Sequence, residues 1–237
     1  MLLRRVTEHL RAQNWTAVAL DFAIVVVGVL IGIELSNWNE DRLRKADDAR
    51  YLERIERDLV AMRERLDRNH QGTVELRDAG LTTLAALTDC RNDPAEREAY
   101  DTIFKGYQIS PPLRFYRSAY DEMTAVGAFA RIDNAALKDA IVNVYADMGE
   151  FHEVSGFIRR DLSNAGQVLW KKVDFGFDQA DDRLSMTVDY DMAALCQDRE
   201  FRNAMWELVD TNDDWSRYAA RVIEEIDIAL AELESAR

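Results

Sequence analysis

Apolar positions are distributed along this chain in two different ways. From Phe22 to Ile33 they run unbroken, glycine aside, between Asp21 and Glu34. From Leu52 onward they recur at steps of three and four. Such steps place side chains on one face of an α-helix. The first seam is Leu52, Ile55, Leu59, Met62 and Leu66; it turns polar at Asn69 and Thr73, resumes at Leu76 and ends near Asp89 to Pro94. A second runs Leu137, Ile141, Val144, Met148, Phe151, Ser155, Ile158, Leu162, Ala165, Leu169. A third runs Phe201, Met205, Leu208, Asn212, Trp215, Ala219, Val222, Ile226, Ala229, Leu233. Each seam predicts one long helix with a packing stripe.

Caps and breakers place the short elements. Asp93-Pro94 is an N-cap followed by a first-turn proline, opening a helix to about Tyr107. Pro111 and Pro112 break the chain, and a helix from about Tyr116 to Phe129 follows. Asp133 or Asn134 caps the second seam and Asp198 the third. DFGFDQADDRLSMTVDYD is the least helical stretch; Leu184, Met186 and Val188 alternate there, a faint strand signal. The predicted fold is all-α: an N-terminal transmembrane helix continuing into an elongated antiparallel bundle of three long and two short helices.

The unbroken run predicts a membrane anchor. Trp15 to Leu35 spans a hydrocarbon core of about 30 Å. Trp15 and Trp38 lie ~34 Å apart along a helix, suiting an aromatic belt at each interface. The segment is apolar on all sides, unlike a core helix of a soluble protein. Arg4, Arg5 and Arg11 precede it, and IELSNWNE follows with no small-x-small cleavage pattern, so it reads as an uncleaved signal anchor. The expected organisation is a cytoplasmic amphipathic tail over 1–14, the anchor over 15–37, a polar helical stalk over 38–51 and the bundle over 52–237. The tail places Leu2, Leu3, Val6 and Leu10 on one face, as a helix lying on anionic lipid would; a frayed terminus is the alternative. The stalk offers Glu40/Arg44 and Asp41/Lys45 at i,i+4. Basic residues flank the span on both sides. The short basic tail needs no translocation if it stays inside, which favours a periplasmic bundle and an inner-membrane, single-pass protein.

Within the span, Ala17, Asp21 and Gly28 share one stripe, with Gly32 adjoining it. Small residues let helices approach closely in lipid, and an acid there calls for a partner. The stripe is a candidate membrane-helix interface with a second copy or another membrane protein. The alternative is an interfacial acid on a lone anchor.

The formal net charge of -14 argues against nucleic-acid binding, because phosphate binding wants a basic face. Two cysteines, Cys90 and Cys196, each adjoin an end of a long helix. Outside the cytoplasm they are expected to pair; inside it they would be buried thiols. If the first and third seams run antiparallel with the cysteines opposed, Asn212 falls opposite Thr73 to Val74. Leu233 then falls opposite Leu52 to Glu53. The two places where the seams turn polar thus meet.

Chemistry is sparse. Three histidines lie apart, and Glu150 and Glu153 beside His152 do not share its helix face, so no metal site is expected. HExxH, GxSxG, CxxC and a glycine-rich phosphate loop are absent from the sequence. Asp178, Asp181, Asp182, Asp189 and Asp191 lack the spacing and central glycine of a calcium loop. RSAYDEM groups Arg117, Tyr120, Asp121 and Glu122, read either as structural pairing or as a ligand contact through Arg117, Tyr120 and Glu122. No cofactor is expected, nor enzymatic activity.

NWTAVALDFAIVVVGVLIGIELSNWNE and RSAYDEMTAVGAFARIDNAALKDAIVNVY resemble the two signature blocks of a family of proteobacterial single-span inner-membrane proteins with a helical domain of unknown function. The resemblance implies an inner-membrane location and no activity. Two readings follow. One is a non-enzymatic scaffold, sensor or partner-binding domain of the envelope. The other is a single-span subunit of an ion-driven membrane complex that uses Asp21.

Overall fold

The computed structural model describes residues 15–106, 113–180 and 183–236. The expected tail 1–14, the helix end at Tyr107, the break at Pro111 and Pro112, and Asp181 and Asp182 lie outside the described residues. The chain divides into two compact units, Met1–Tyr51 and Leu52–Arg237. Its described elements are α1 (Trp15–Asp89), α2 (Arg97–Gly106), α3 (Ser118–Ala125), α4 (Ala135–Trp170), β1 (Asp174–Ala180), β2 (Arg183–Asp189), α5 (Met192–Gln197) and α6 (Arg199–Ser235). Short 3-10 turns, Pro94–Glu96 and Phe129–Arg131, precede α2 and follow α3.

In the first unit, α1 is long and apolar enough near its start to cross a membrane. Its large apolar side chains lie open all round, from 38% exposed at Val26 to 70% at Phe22. Apolar surface on that scale is unfavourable in water and suits lipid. Beyond Trp38, Arg44 pairs with Glu40 at 3.6 Å and also with Asp41. The expected Asp41/Lys45 pair does not form among the described residues; Arg44, one residue nearer in sequence, pairs with Asp41 instead.

The second unit is a helical bundle, and all-α describes its plan. Every residue of the second and third seams is buried along α4 and α6. The two helices pack lengthwise, with Phe151 against Trp215 and Arg221 bridging Asp147 at 3.1 Å. The part of α1 from Leu52 onward completes the bundle. Arg63 holds Asp227 at 2.7 Å and His70 meets Ser216 at 3.3 Å, so α1 and α6 run antiparallel in the register read from the seams. Their polar interruptions, Thr73 and Asn212, are both buried and satisfied within their own helices. Thr73 donates to the carbonyl of Asn69 and Asn212 to that of Leu208. Two glycines permit close approach. A Cβ on Gly80 would lie 2.6 Å from Val209, and one on Gly106 would run into the Leu76 side chain.

The caps act as their sequences suggest. Asp93 accepts from the Ala95 amide, Asn134 from Leu137 and Asp198 from Phe201, each satisfying an amide the helix leaves open. Two features depart from the expected helix count. The stretch after α4 forms an antiparallel hairpin with Phe175 opposite Val188 and Phe177 opposite Met186. MAALCQ then forms an extra helix, capped by Asp191, which accepts from Ala193 and Ala194. Helix α3 is also shorter than the expected 116–129, because Gly127 adopts a positive φ of 71° and turns the chain.

Cys90 and Cys196 are joined in a disulfide across 106 residues, with Cα atoms 5.3 Å apart. Cys90 ends α1 with φ 50°, the left-handed position that glycine usually fills. The Arg91 amide donates back to the Ala86 carbonyl at 2.9 Å, completing that terminal turn.

Candidate functional site

The sequence offers two candidate surfaces, one in each unit. On the span, Asp21, Gly28 and Gly32 are all exposed. A Cβ placed on either glycine would meet nothing within 4 Å, so the stripe is smooth and uncovered. Asp21 has no ion pair or hydrogen bond among the described residues. The Ala17 side chain lies outside the described residues. An uncovered carboxylate beside two glycines can meet a donor on another helix; the stripe offers no other chemistry.

Arg117, Tyr120 and Glu122 sit in and beside α3. Asp121 takes the Arg117 guanidinium in a forked pair, with Nε and Nη2 each 2.8 Å from a carboxylate oxygen. Glu122 accepts from Arg54 Nη1 at 2.7 Å. Tyr120 stacks on Tyr145 of α4 at 4.2 Å between ring centres, and Phe129 meets it edge-on at 5.3 Å. The charged ends are therefore engaged inside the chain.

The residue missed at this spot is Tyr145. It follows Val144, so it stands just off the seam and looks like a surface tyrosine in sequence. It is only 6% exposed, and its hydroxyl has no hydrogen-bond partner among the described residues. Burial holds its ionisation far above the ordinary tyrosine range, and the nearby charge of Asp58 adds to this. Burial likewise raises the Asp58 carboxyl, against the pull of Arg54 and Arg57. A tyrosine so placed is an inert wedge between helices, with no proton to exchange near neutral pH.

The remaining features are grooves and isolated pairs. A groove of about 370 Å³ runs between α1 and α2, lined by Arg68, Thr73, Leu76, Thr102 and Lys105. Lys105 is held there by Asp101 at 3.2 Å. The outer half of the hairpin leaves Phe177 75% exposed, with Met186 open beside it. Ser216 and His70 form a hydroxyl–imidazole pair, yet Ser216 is 4% exposed and closed to a substrate carbonyl. The described residues contain no group of three or more His, Cys, Asp or Glu that could hold a metal ion.

Comparison of the chain with protein-family models, curated proteins and solved structures finds no match in any of the three. The resemblance to the single-span family thus rests on its two sequence blocks alone.

Proposed function

We propose that this is a non-enzymatic protein of the cell envelope. A single span in the bacterial inner membrane tethers a periplasmic helical domain, which serves as a scaffold, sensor or partner-binding module. The observation that carries the reading is the Cys90–Cys196 disulfide in a chain that also bears an uncovered apolar helix. Disulfides persist in oxidising compartments, and the periplasm is the one next to that membrane. The pairing of the charged side chains on α3 with neighbours in the chain supports a structural domain over a catalytic one.

The partner surface proposed for the membrane is the stripe of Ala17, Asp21, Gly28 and Gly32. It takes a second copy or another membrane protein. The reading of an ion-driven complex rests on the same Asp21 and differs in its partner, which would be polytopic and stoichiometric.

Two experiments test the proposal together. A compartment-dependent reporter fused after Arg237 is expected to be active outside the cytoplasm; activity inside alone refutes the orientation. Purification in mild detergent is then expected to yield a homo-oligomer or a complex with a membrane protein, weakened by Gly28→Leu. Recovery of a stoichiometric polytopic partner, with function lost in Asp21→Asn, would replace this reading with the ion-driven one.

A further inference from the structure

Helix α4 buries one face along its seam, and the opposite side lies open. Ala146, Gly149, Glu153, Gly156 and Arg160 follow one another there at steps of three and four, with Phe157 beside Gly156. That is the spacing of a second packing stripe on the same helix. Phe157 is 59% exposed, and a Cβ on Gly149 or Gly156 would meet nothing within 4 Å. The stripe thus carries one large apolar knob and, next to it, a gap.

Its charges are unused as well. Glu153 and Arg160 form no ion pair among the described residues. Asp147 and Glu150, just off the stripe, are both taken by Arg221 at 3.1 Å and 2.9 Å. Arg160 rests over the ring of Phe157, 5.2 Å from its centre. Glu153 and Arg160 share a face but stand seven residues apart, a rise of roughly 10 Å. Helical pairs form at three or four residues, so these two cannot reach each other along one helix.

We propose that this face of α4 docks on the same face of a second copy, antiparallel, about a two-fold axis between Gly156 and Phe157. In that register Arg160 of each copy falls level with Glu153 of the other, and two ion pairs form that one helix cannot make. Each Phe157 ring falls level with the other copy's Gly156, where the missing side chain leaves room for it. Ala146 and Gly149 keep the flanks low enough for the helices to approach. Charge selects the direction. A parallel pairing would set Glu153 on Glu153 and Arg160 on Arg160, and such like-charge contacts are unfavourable. The contact is self-complementary and closes at two copies. It gives the helical domain an interface of its own, independent of the stripe on the span.

The test uses the full chain in mild detergent, carrying Gly28→Leu to weaken any association through the span. Sedimentation is expected to show a reversible monomer–dimer equilibrium. Glu153→Arg or Arg160→Glu alone is expected to raise the dissociation constant roughly tenfold. The two changes together restore both ion pairs with their signs exchanged, and are expected to return the constant close to its starting value. Cysteine cross-linking reads the direction, since the oxidised chain has no free cysteine of its own. Glu153→Cys and Arg160→Cys chains are expected to cross-link when mixed, and neither with itself. A monomer at every concentration, a dissociation constant indifferent to the single charge reversals, failure of the exchanged pair to restore it, or self-cross-linking of either cysteine chain overturns the proposal. None of these outcomes bears on the stripe of the span, which the Gly28→Leu comparison tests separately.

Discussion

Tyr120 lies nearly flat on Tyr145, ring centres 4.2 Å apart and planes 16° from parallel, while the Tyr145 hydroxyl beneath has no partner among the described residues. The stack is useful to the fold; the hydroxyl is not. Tyr145→Phe keeps the ring and removes a desolvated oxygen. It is expected to stabilise the chain by about 1 kcal/mol, read as a higher urea midpoint with unchanged slope. Tyr145→Ala removes the ring as well and is expected to cost roughly 3–5 kcal/mol.

Tyr100 is buried and donates its hydroxyl to Glu96 at 2.5 Å. Burial first, and then that bond, push its ionisation up to about 12. An unfolded tyrosine ionises near pH 10. The raised value therefore contributes stability that is fully present below pH 10 and lost as pH rises through about 12. Tyr190, also pushed up to about 12 by burial, acts in the same window. Alkaline unfolding is expected to coincide with tyrosinate absorbance. Tyr100→Phe is expected to flatten part of that limb, and the double variant with Tyr190→Phe more of it.

The left-handed Cys90 is retained at a position that suits glycine, because the bond to Cys196 needs a side chain there. The purified oxidised chain is expected to present no reactive thiols. Reduction is expected to cost up to about 4.7 kcal/mol in the chain-entropy picture, less any relief of strain. Under reductant, Cys90→Gly is expected to exceed the wild type in stability by about 1–2 kcal/mol, and Cys90→Ser to give no such gain. Urea titrations with and without reductant separate the two effects.

Gly80 lies against Val209, whose β-branched side chain has few rotamers to retreat into. Gly80→Leu overfills that contact and is expected to destabilise by about 1–3 kcal/mol. The same change at Gly72, where a Cβ meets nothing within 4 Å, is expected to be neutral or mildly stabilising in a thermal melt.

The long helices were legible because burial repeats along them. Ser155 and Asn212 are polar, yet their place in the seams marks them as interior, and both are buried. The hairpin was half legible. Leu184, Met186 and Val188 alternate, but their partner strand opens DFGFD, where Gly176 and the aspartates hide the period. Helix α5 has six residues, too few to show a period, and Asp191 reads equally well as a turn residue. The candidate ligand group on α3 was visible as chemistry, while its fate was not. Arg54 and Tyr145, far away in sequence, decide which of its side chains are engaged.

The bond between Cys90 and Cys196 has a topological consequence. It makes a covalent ring of residues 90–196, from which α1 departs at one cysteine and α6 a few residues beyond the other. A protease that cuts the hairpin once opens the ring without freeing either helix. The nicked chain stays one molecule until it meets a reductant, so damage at the exposed Phe177 need not release the last helix from the rest of the chain.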